Sequence, residues 1–84
     1  MKKITYSKQA IKALRNMPAN NSRRVVSKIE QYAVDPATLA NNIKTMQGEE
    51  FKGYYRLRIG DWRVIFRDAE VIYIFKIAPR GSIY

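Results

Sequence analysis

Between positions 52 and 67 the chain sets Lys52, Tyr54, Arg56 and Arg58 at every second residue, then Gly60-Asp61, then Arg63 and Arg67. A period of two is that of a β-strand, whose successive side chains point to opposite faces. Gly60-Asp61 fits a two-residue hairpin turn. That turn places Ile59 opposite Trp62, Arg58 opposite Arg63, Leu57 opposite Val64, Arg56 opposite Ile65 and Tyr55 opposite Phe66. Paired residues share a face. One face then gathers Tyr55, Leu57, Ile59, Trp62, Val64 and Phe66 and is apolar; the other gathers Lys52, Tyr54, Arg56, Arg58, Arg63 and Arg67 and is basic. A slip of one residue would oppose apolar to charged positions throughout, so this register is strongly specified.

The chemistry open to such a face is that of phosphate. A guanidinium is a planar fork that grips phosphate oxygens through two hydrogen bonds, and several on one face can hold a phosphodiester. Like charges directly opposite on neighbouring strands cost a few tenths to about 1 kcal/mol, so Arg58 against Arg63 is a poor choice for stability alone. A polyanion lying there turns the repulsion into attraction. The competing reading is an ordinary solvated sheet face, partly neutralised by Asp61, Asp68 or Glu70. The tyrosines fit either reading, as core or as a surface on which a base stacks. Arg80 follows Pro79, and if Val71 to Ala78 is a strand beside the hairpin, Arg80 reaches over the same face. Tyr84 then falls near its rim, or acts as an apolar plug, or frays.

Composition limits the alternatives. The 84 residues hold 16 basic and 7 acidic side chains, a net charge of +9, which points to a polyanionic partner or to a strongly solvated surface. The absence of His and Cys removes imidazole acid–base chemistry, thiol nucleophiles, disulfides and the common zinc sites. Arg, Lys, Tyr, Ser, Thr and carboxylates remain, and no metal or cofactor is expected. No run approaches the roughly 18 apolar residues of a membrane span, and Met1-Lys2-Lys3 leads into Ile4-Thr5-Tyr6-Ser7-Lys8, unlike a signal peptide. A cytoplasmic protein is the default. Leu, Ile, Val and Phe make up 21 of the 84 residues, enough for one small core, and the length fits a single domain over 1–84.

The elements that must position the basic face follow from periodicity. Lys2 to Tyr6 alternates and reads as a short strand. Ser7 caps a helix with Ala10, Ile11, Leu14 and Met17 on one stripe, stopped by Pro18. A second helix starts near Asn20 to Ser22 and ends at Asp35-Pro36, with Val25, Val26, Ile29, Tyr32 and Ala33 as its buried stripe. The two form an antiparallel hairpin across a Pro18 to Asn21 link. Residues 1–43 carry 8 basic and 2 acidic side chains, placed where a solvated helix face would have them. Pro36 to Glu50 reads as a loop with one short extended piece around Ile43 to Met46. Strands then follow over Phe51 to Ile59, Trp62 to Arg67 and Val71 to Ala78, the last a nearly continuous apolar run and so a central strand. The fold class is α+β in the order β-α-α-β-β-β, with a helical hairpin on one face of a mostly antiparallel twisted sheet.

With these residues in place, the run Gly53-Tyr54-Tyr55-Arg56-Leu57-Arg58-Ile59-Gly60-Asp61-Trp62-Arg63-Val64-Ile65-Phe66 and the closing Arg80-Gly81-Ser82-Ile83-Tyr84 resemble the RelE/ParE superfamily of toxins from toxin–antitoxin systems. The resemblance covers essentially the whole chain. On the RelE side it implies a ribosome-dependent endoribonuclease that cuts messenger RNA by attack of the RNA's own 2′-hydroxyl on the adjacent phosphate, without a metal. It implies that Arg56 and Arg63 stabilise the reacting phosphate, that Arg80 serves the leaving oxygen, and that Tyr84 stacks on a base or acts as general base. Lys52, Tyr54, Arg58 and Arg67 become RNA contacts. The most active members carry two lysines on the first hairpin strand; here Tyr54 and Arg56 hold those positions. The resemblance also implies an antitoxin partner, with ribosome and messenger RNA as targets. The alternatives are a ParE-like inhibitor of DNA gyrase without catalysis and a non-catalytic RNA-binding module.

Overall fold

The computed structural model describes residues 1–81. Strand β1 (Ile4–Tyr6) leads into helix α1 (Lys8–Asn16) through Ser7, whose side-chain oxygen accepts the Ala10 amide at 3.1 Å. That bond satisfies one of the amides a helix start leaves without a partner. Helix α2 (Ala19–Val34) begins directly after Pro18, which serves as its cap without a side-chain bond, so the link between the helices is shorter than expected. It ends at Asp35, whose extended backbone is what the following Pro36 ring demands. Residues Pro36–Asn42 do not form a plain loop. They wind into 3₁₀ turns, started by the Asp35 carboxylate accepting the Ala37 amide, and bury Leu39.

Four more strands complete the sheet: β2 (Ile43–Thr45), β3 (Tyr54–Ile59), β4 (Trp62–Asp68) and β5 (Ile72–Pro79). Their order is β1-β5-β4-β3-β2, with β1 parallel to β5 and the remaining pairs antiparallel. Strand β5 is therefore interior, between β1 and β4, although β4 holds the middle position. All five cross-strand pairs read from the sequence are present in the β3–β4 hairpin, which extends to Tyr54 opposite Arg67. One expectation fails at the start of β3. Glu49–Phe51 forms a 3₁₀ turn and Gly53 takes a φ of 84°, a left-handed geometry that ends any extended run, so the strand begins at Tyr54 and not at Phe51. Lys52 consequently lies exposed in that turn, outside the strand alternation.

The helices cover one face of the sheet. Ala10 of α1 and Val25 and Ile29 of α2 pack with Leu57, Val64, Phe66, Ile72 and Ile74 in one core. Among the described residues Phe66 is the largest fully buried side chain, with the Tyr32 ring edge-on to it at 4.8 Å and the Tyr55 ring at 5.6 Å. Truncating such a ring to Ala costs about 3–5 kcal/mol, a large part of a small domain's stability. No helix among the described residues is long and apolar enough to cross a membrane.

On the other face the register between β4 and β5 shifts. Ile65 pairs with Lys76 but Phe66 pairs with Ile74, which leaves Phe75 as an extra residue on β5. The bulge resolves a conflict written into the strand. Strict alternation from Ile72 and Ile74 would send Lys76 into the core. With one residue inserted, Ile77 is buried there instead, and Phe75 and Lys76 both fall on the outer face.

Candidate phosphate-binding face

Three strands and the end of the 3₁₀ segment build one concave site. Lys44 stands opposite Arg56 across β2 and β3, and Arg58 opposite Arg63 across β3 and β4. With Asn41 and Asn42 these four cations line a cleft of about 210 Å³. Neighbouring strands are roughly 5 Å apart and like-facing residues along a strand roughly 7 Å, so the cations form a lattice at that spacing. Asn42 fixes one wall by donating from Nδ2 to the Arg58 carbonyl at 3.3 Å.

Arg63 is held more firmly than an exposed arginine. Its Nη1 donates to the Gly60 carbonyl at 2.8 Å and to the Trp62 carbonyl at 3.0 Å. Gly60 has a φ of 56° and Asp61 does not share that sign, so only the first turn residue is left-handed, as in a type II′ hairpin. The turn is thus shaped to present a carbonyl to Arg63. The Arg63 guanidinium titrates below the ordinary arginine value, first through partial burial and then through the charges of Arg56, Arg80 and Arg58, with Asp61 opposing them. An anion in the cleft relieves that mutual repulsion.

Arg80 is exposed beyond the end of β5, where its amide donates to the Asp61 carbonyl at 2.7 Å. That bond ties it to the same hairpin turn. A second tie comes from α2. The Arg24 guanidinium lies across Gly60, so that a methyl group there would stand 3.1 Å from Arg24 Nη1. Helix α2 thereby brings one charge from its outer face to the turn.

The other residues singled out in the sequence divide. Tyr54 and Arg67 pair on the outer face, with the Arg67 guanidinium carbon 5.8 Å from the Tyr54 ring centre, one row away from Arg56. Lys52 is in the preceding turn and does not line the cleft. The expectation for Tyr84 lies outside the described residues. Sequence reasoning missed Lys44, Asn41 and Asn42. Lys44 alternates with Ile43 and Thr45, but three residues are too short a run to be assigned a partner strand without the fold.

The model of the family described as ParE toxin of type II toxin-antitoxin system, parDE, matches residues 4–84. None of the curated proteins matches the sequence significantly. Among solved structures, the archaeal RelE–RelB complex from Pyrococcus horikoshii OT3 contains a chain that is 30% identical, with a TM-score of 0.77 over 96% of this chain and 97% of that one. The RelB–RelE antitoxin–toxin complex from Methanococcus jannaschii gives 25% identity and a TM-score of 0.69 over 94% and 93%. Isolated Escherichia coli RelE shares the fold, with a TM-score of 0.75 over 98% and 87% at 11% identity. Matched over nearly its whole length, the chain belongs to the RelE/ParE superfamily of type II toxin–antitoxin toxins.

Proposed function

We propose that this toxin is a ribosome-dependent messenger RNA endoribonuclease that blocks translation in the cytoplasm, and that a cognate antitoxin restrains it. The observation that carries this reading is the convergence of Lys44, Arg56, Arg58 and Arg63 on one cleft, with Arg80 anchored to the same turn. In the proposed reaction the 2′-oxygen of one nucleotide attacks the adjacent phosphorus and the 5′-oxygen of the next nucleotide leaves. The products are a 2′,3′-cyclic phosphate and a 5′-hydroxyl. Negative charge builds on the non-bridging oxygens as the phosphorane forms, and in this reading Arg56 and Arg63 stabilise it. Each well-aimed donor is worth about 10² to 10³ in rate. Tyr84, as its phenolate, receives the 2′-hydroxyl proton, and Arg80 stabilises the departing 5′-oxygen, which takes a proton from water to become the 5′-hydroxyl. Arg58, Arg67, Lys52 and Tyr54 contact flanking RNA.

An antitoxin partner follows from the solved relatives, which were captured with RelB. An acidic or amphipathic segment suits a +9 surface, and its exposed contacts weaken with salt. The test is induction of the wild type and of a variant carrying Arg63→Ala and Arg80→Ala, with messenger RNA 5′ ends mapped on ribosomes. Cuts bearing 5′-hydroxyl ends in the wild type and their loss in the double variant are expected. Undiminished cleavage in the variant rules out these roles, and gyrase-linked DNA breaks with translation spared would sink the nuclease reading altogether.

A further inference from the structure

The bulge in β5 creates a feature that phosphate chemistry does not use. It turns Phe75 and Lys76 side by side onto the outer face, opposite Ile65. The Phe75 ring meets Tyr54 edge-on at 5.6 Å and lies 6.5 Å from Tyr73, with the planes of the latter pair tilted by 39°. All three rings are half-buried; Tyr54 and Phe75, with Met46, pack against the buried Ile65 and Ala78, while Tyr73 lies beside Phe75. Tyr73 stands outside that cluster, and all three rings keep accessible surface. Arg67 sits over the Tyr54 ring, and Lys76 flanks Phe75, so the apolar patch is bounded by cations.

The patch is also continuous with the cleft. Lys44, Arg56, Ile65 and Lys76 form one row across β2, β3, β4 and β5. Two strand spacings separate Arg56 from Lys76, about 10 Å. Aromatic rings bordered by cations are the chemistry that binds single-stranded nucleic acid: bases stack on the rings while the cations follow the phosphates.

We propose that Phe75, Tyr73 and Tyr54, with Lys76, form a nucleobase-binding platform for single-stranded RNA whose phosphate occupies the neighbouring cleft. The proposal rests on the RNA reading of that cleft and adds to it the element that senses bases. The bulge supplies its cation: strict alternation would already set Tyr73 and Phe75 on the outer face, and the extra residue brings Lys76 there beside them.

Two labelled single-stranded RNAs with equal numbers of phosphates test it, one of adenosines and one of abasic nucleotides, titrated with the free toxin by fluorescence anisotropy. Wild-type protein should bind the adenosine strand about tenfold more tightly. Phe75→Leu, which still covers Ile65, should bring that ratio close to one and leave the abasic affinity unchanged. Lys76→Ala should weaken both strands alike and make the salt dependence shallower. Thermal melting checks the fold, and Tyr73→Leu repeats the measurement should Phe75→Leu prove unstable. A ratio near one in the wild type, as expected if this face seats only the antitoxin, overturns the platform; so does a ratio that survives both leucine variants. Ribosomal cleavage is read separately. A toxin that cuts but ignores bases loses only the platform, and one that prefers bases but does not cut loses only the nuclease assignment.

Discussion

The Ser7 hydroxyl donates to the Phe75 carbonyl while accepting the Ala10 amide, and the Ser7 amide donates to the Ile74 carbonyl at 2.9 Å. One residue therefore caps α1 and satisfies the carbonyls where β5 bulges. Ser7→Ala should lose the cap, about 1 kcal/mol, and leave the Phe75 carbonyl without its donor, about 1–3 kcal/mol more. Ser7→Asp keeps the cap acceptor but, ionised, has no proton to donate. In urea denaturation it should recover at most the cap share. Full recovery by Ser7→Asp would show that the bond to Phe75 contributes nothing.

The acid limb of stability should depend on Asp68. Lys2 Nζ donates to its Oδ1 at 2.6 Å, and the Tyr32 hydroxyl donates to Oδ2 at 2.6 Å. Burial alone would raise the Asp68 carboxyl, but the hydrogen bonds from Lys2 and Tyr32 and the Lys2 charge outweigh it and hold it below the usual range. A carboxyl depressed in the folded state stabilises above its unfolded value of about 4, and the contribution is lost as pH falls through the lower folded value. Tyr32 moves the other way. Burial first, then its bond to Asp68, push its hydroxyl well up, so its share is complete below about pH 10 and disappears as pH rises through the folded value. The urea midpoint should be level between about pH 5 and 9, and Asp68→Asn should make the acid decline shallower. An unchanged acid limb in that variant would remove Asp68 from the account.

The hairpin was legible because two signals coincide there: strict alternation on both strands and a glycine-led turn that fixes which residues face each other. From it came the register, the apolar face and the placing of Arg56, Arg58 and Arg63 together. Ser7, Pro18 and Asp35-Pro36 marked the helix boundaries for similar local reasons. What failed lay where tertiary structure decides. Lys52 continues the alternation in sequence, yet Gly53 turns the backbone beneath it. Lys44 joins the cleft through pairing of a three-residue edge strand, which no local pattern announces. The bulge at Phe75 was concealed by an apolar run that satisfies either phase, and only the position of Lys76 hints that one residue must be inserted.

Arg58 opposite Arg63 should cost stability that an anion restores. Replacing Arg58 by Thr removes a like-charge pair and places a β-branched residue on the strand, so the free protein should gain a few tenths to about 1 kcal/mol. Sulfate or phosphate should raise the Tm of the wild type by mass action on the folded state, and do so less in the variant. Equal anion stabilisation of both proteins would place the binding elsewhere. The same substitution should weaken RNA binding, so stability and proposed function move in opposite directions at this position.

The turn that holds Arg63 supplies the sharpest test of how the site is positioned. Gly60 has a φ of 56°, which costs a residue with a side chain about 1–2 kcal/mol. A methyl group there would also stand 3.1 Å from Arg24 Nη1, but that is the tip of a flexible side chain and can withdraw. Gly60→Ala should therefore lose about 1–2 kcal/mol, and adding Arg24→Ala should return only a small part of it. Gly60→Asn should be milder, since Asn tolerates left-handed geometry. If the Gly60 carbonyl aims the Arg63 guanidinium, as the 2.8 Å bond implies, Gly60→Ala should slow messenger RNA cleavage by about 10²-fold even at temperatures where the variant is fully folded. Unimpaired cleavage in a folded Gly60→Ala protein would mean that Arg63 finds its geometry without the turn. Gly60→Asn, with less strain and the same carbonyl, should fall between the two.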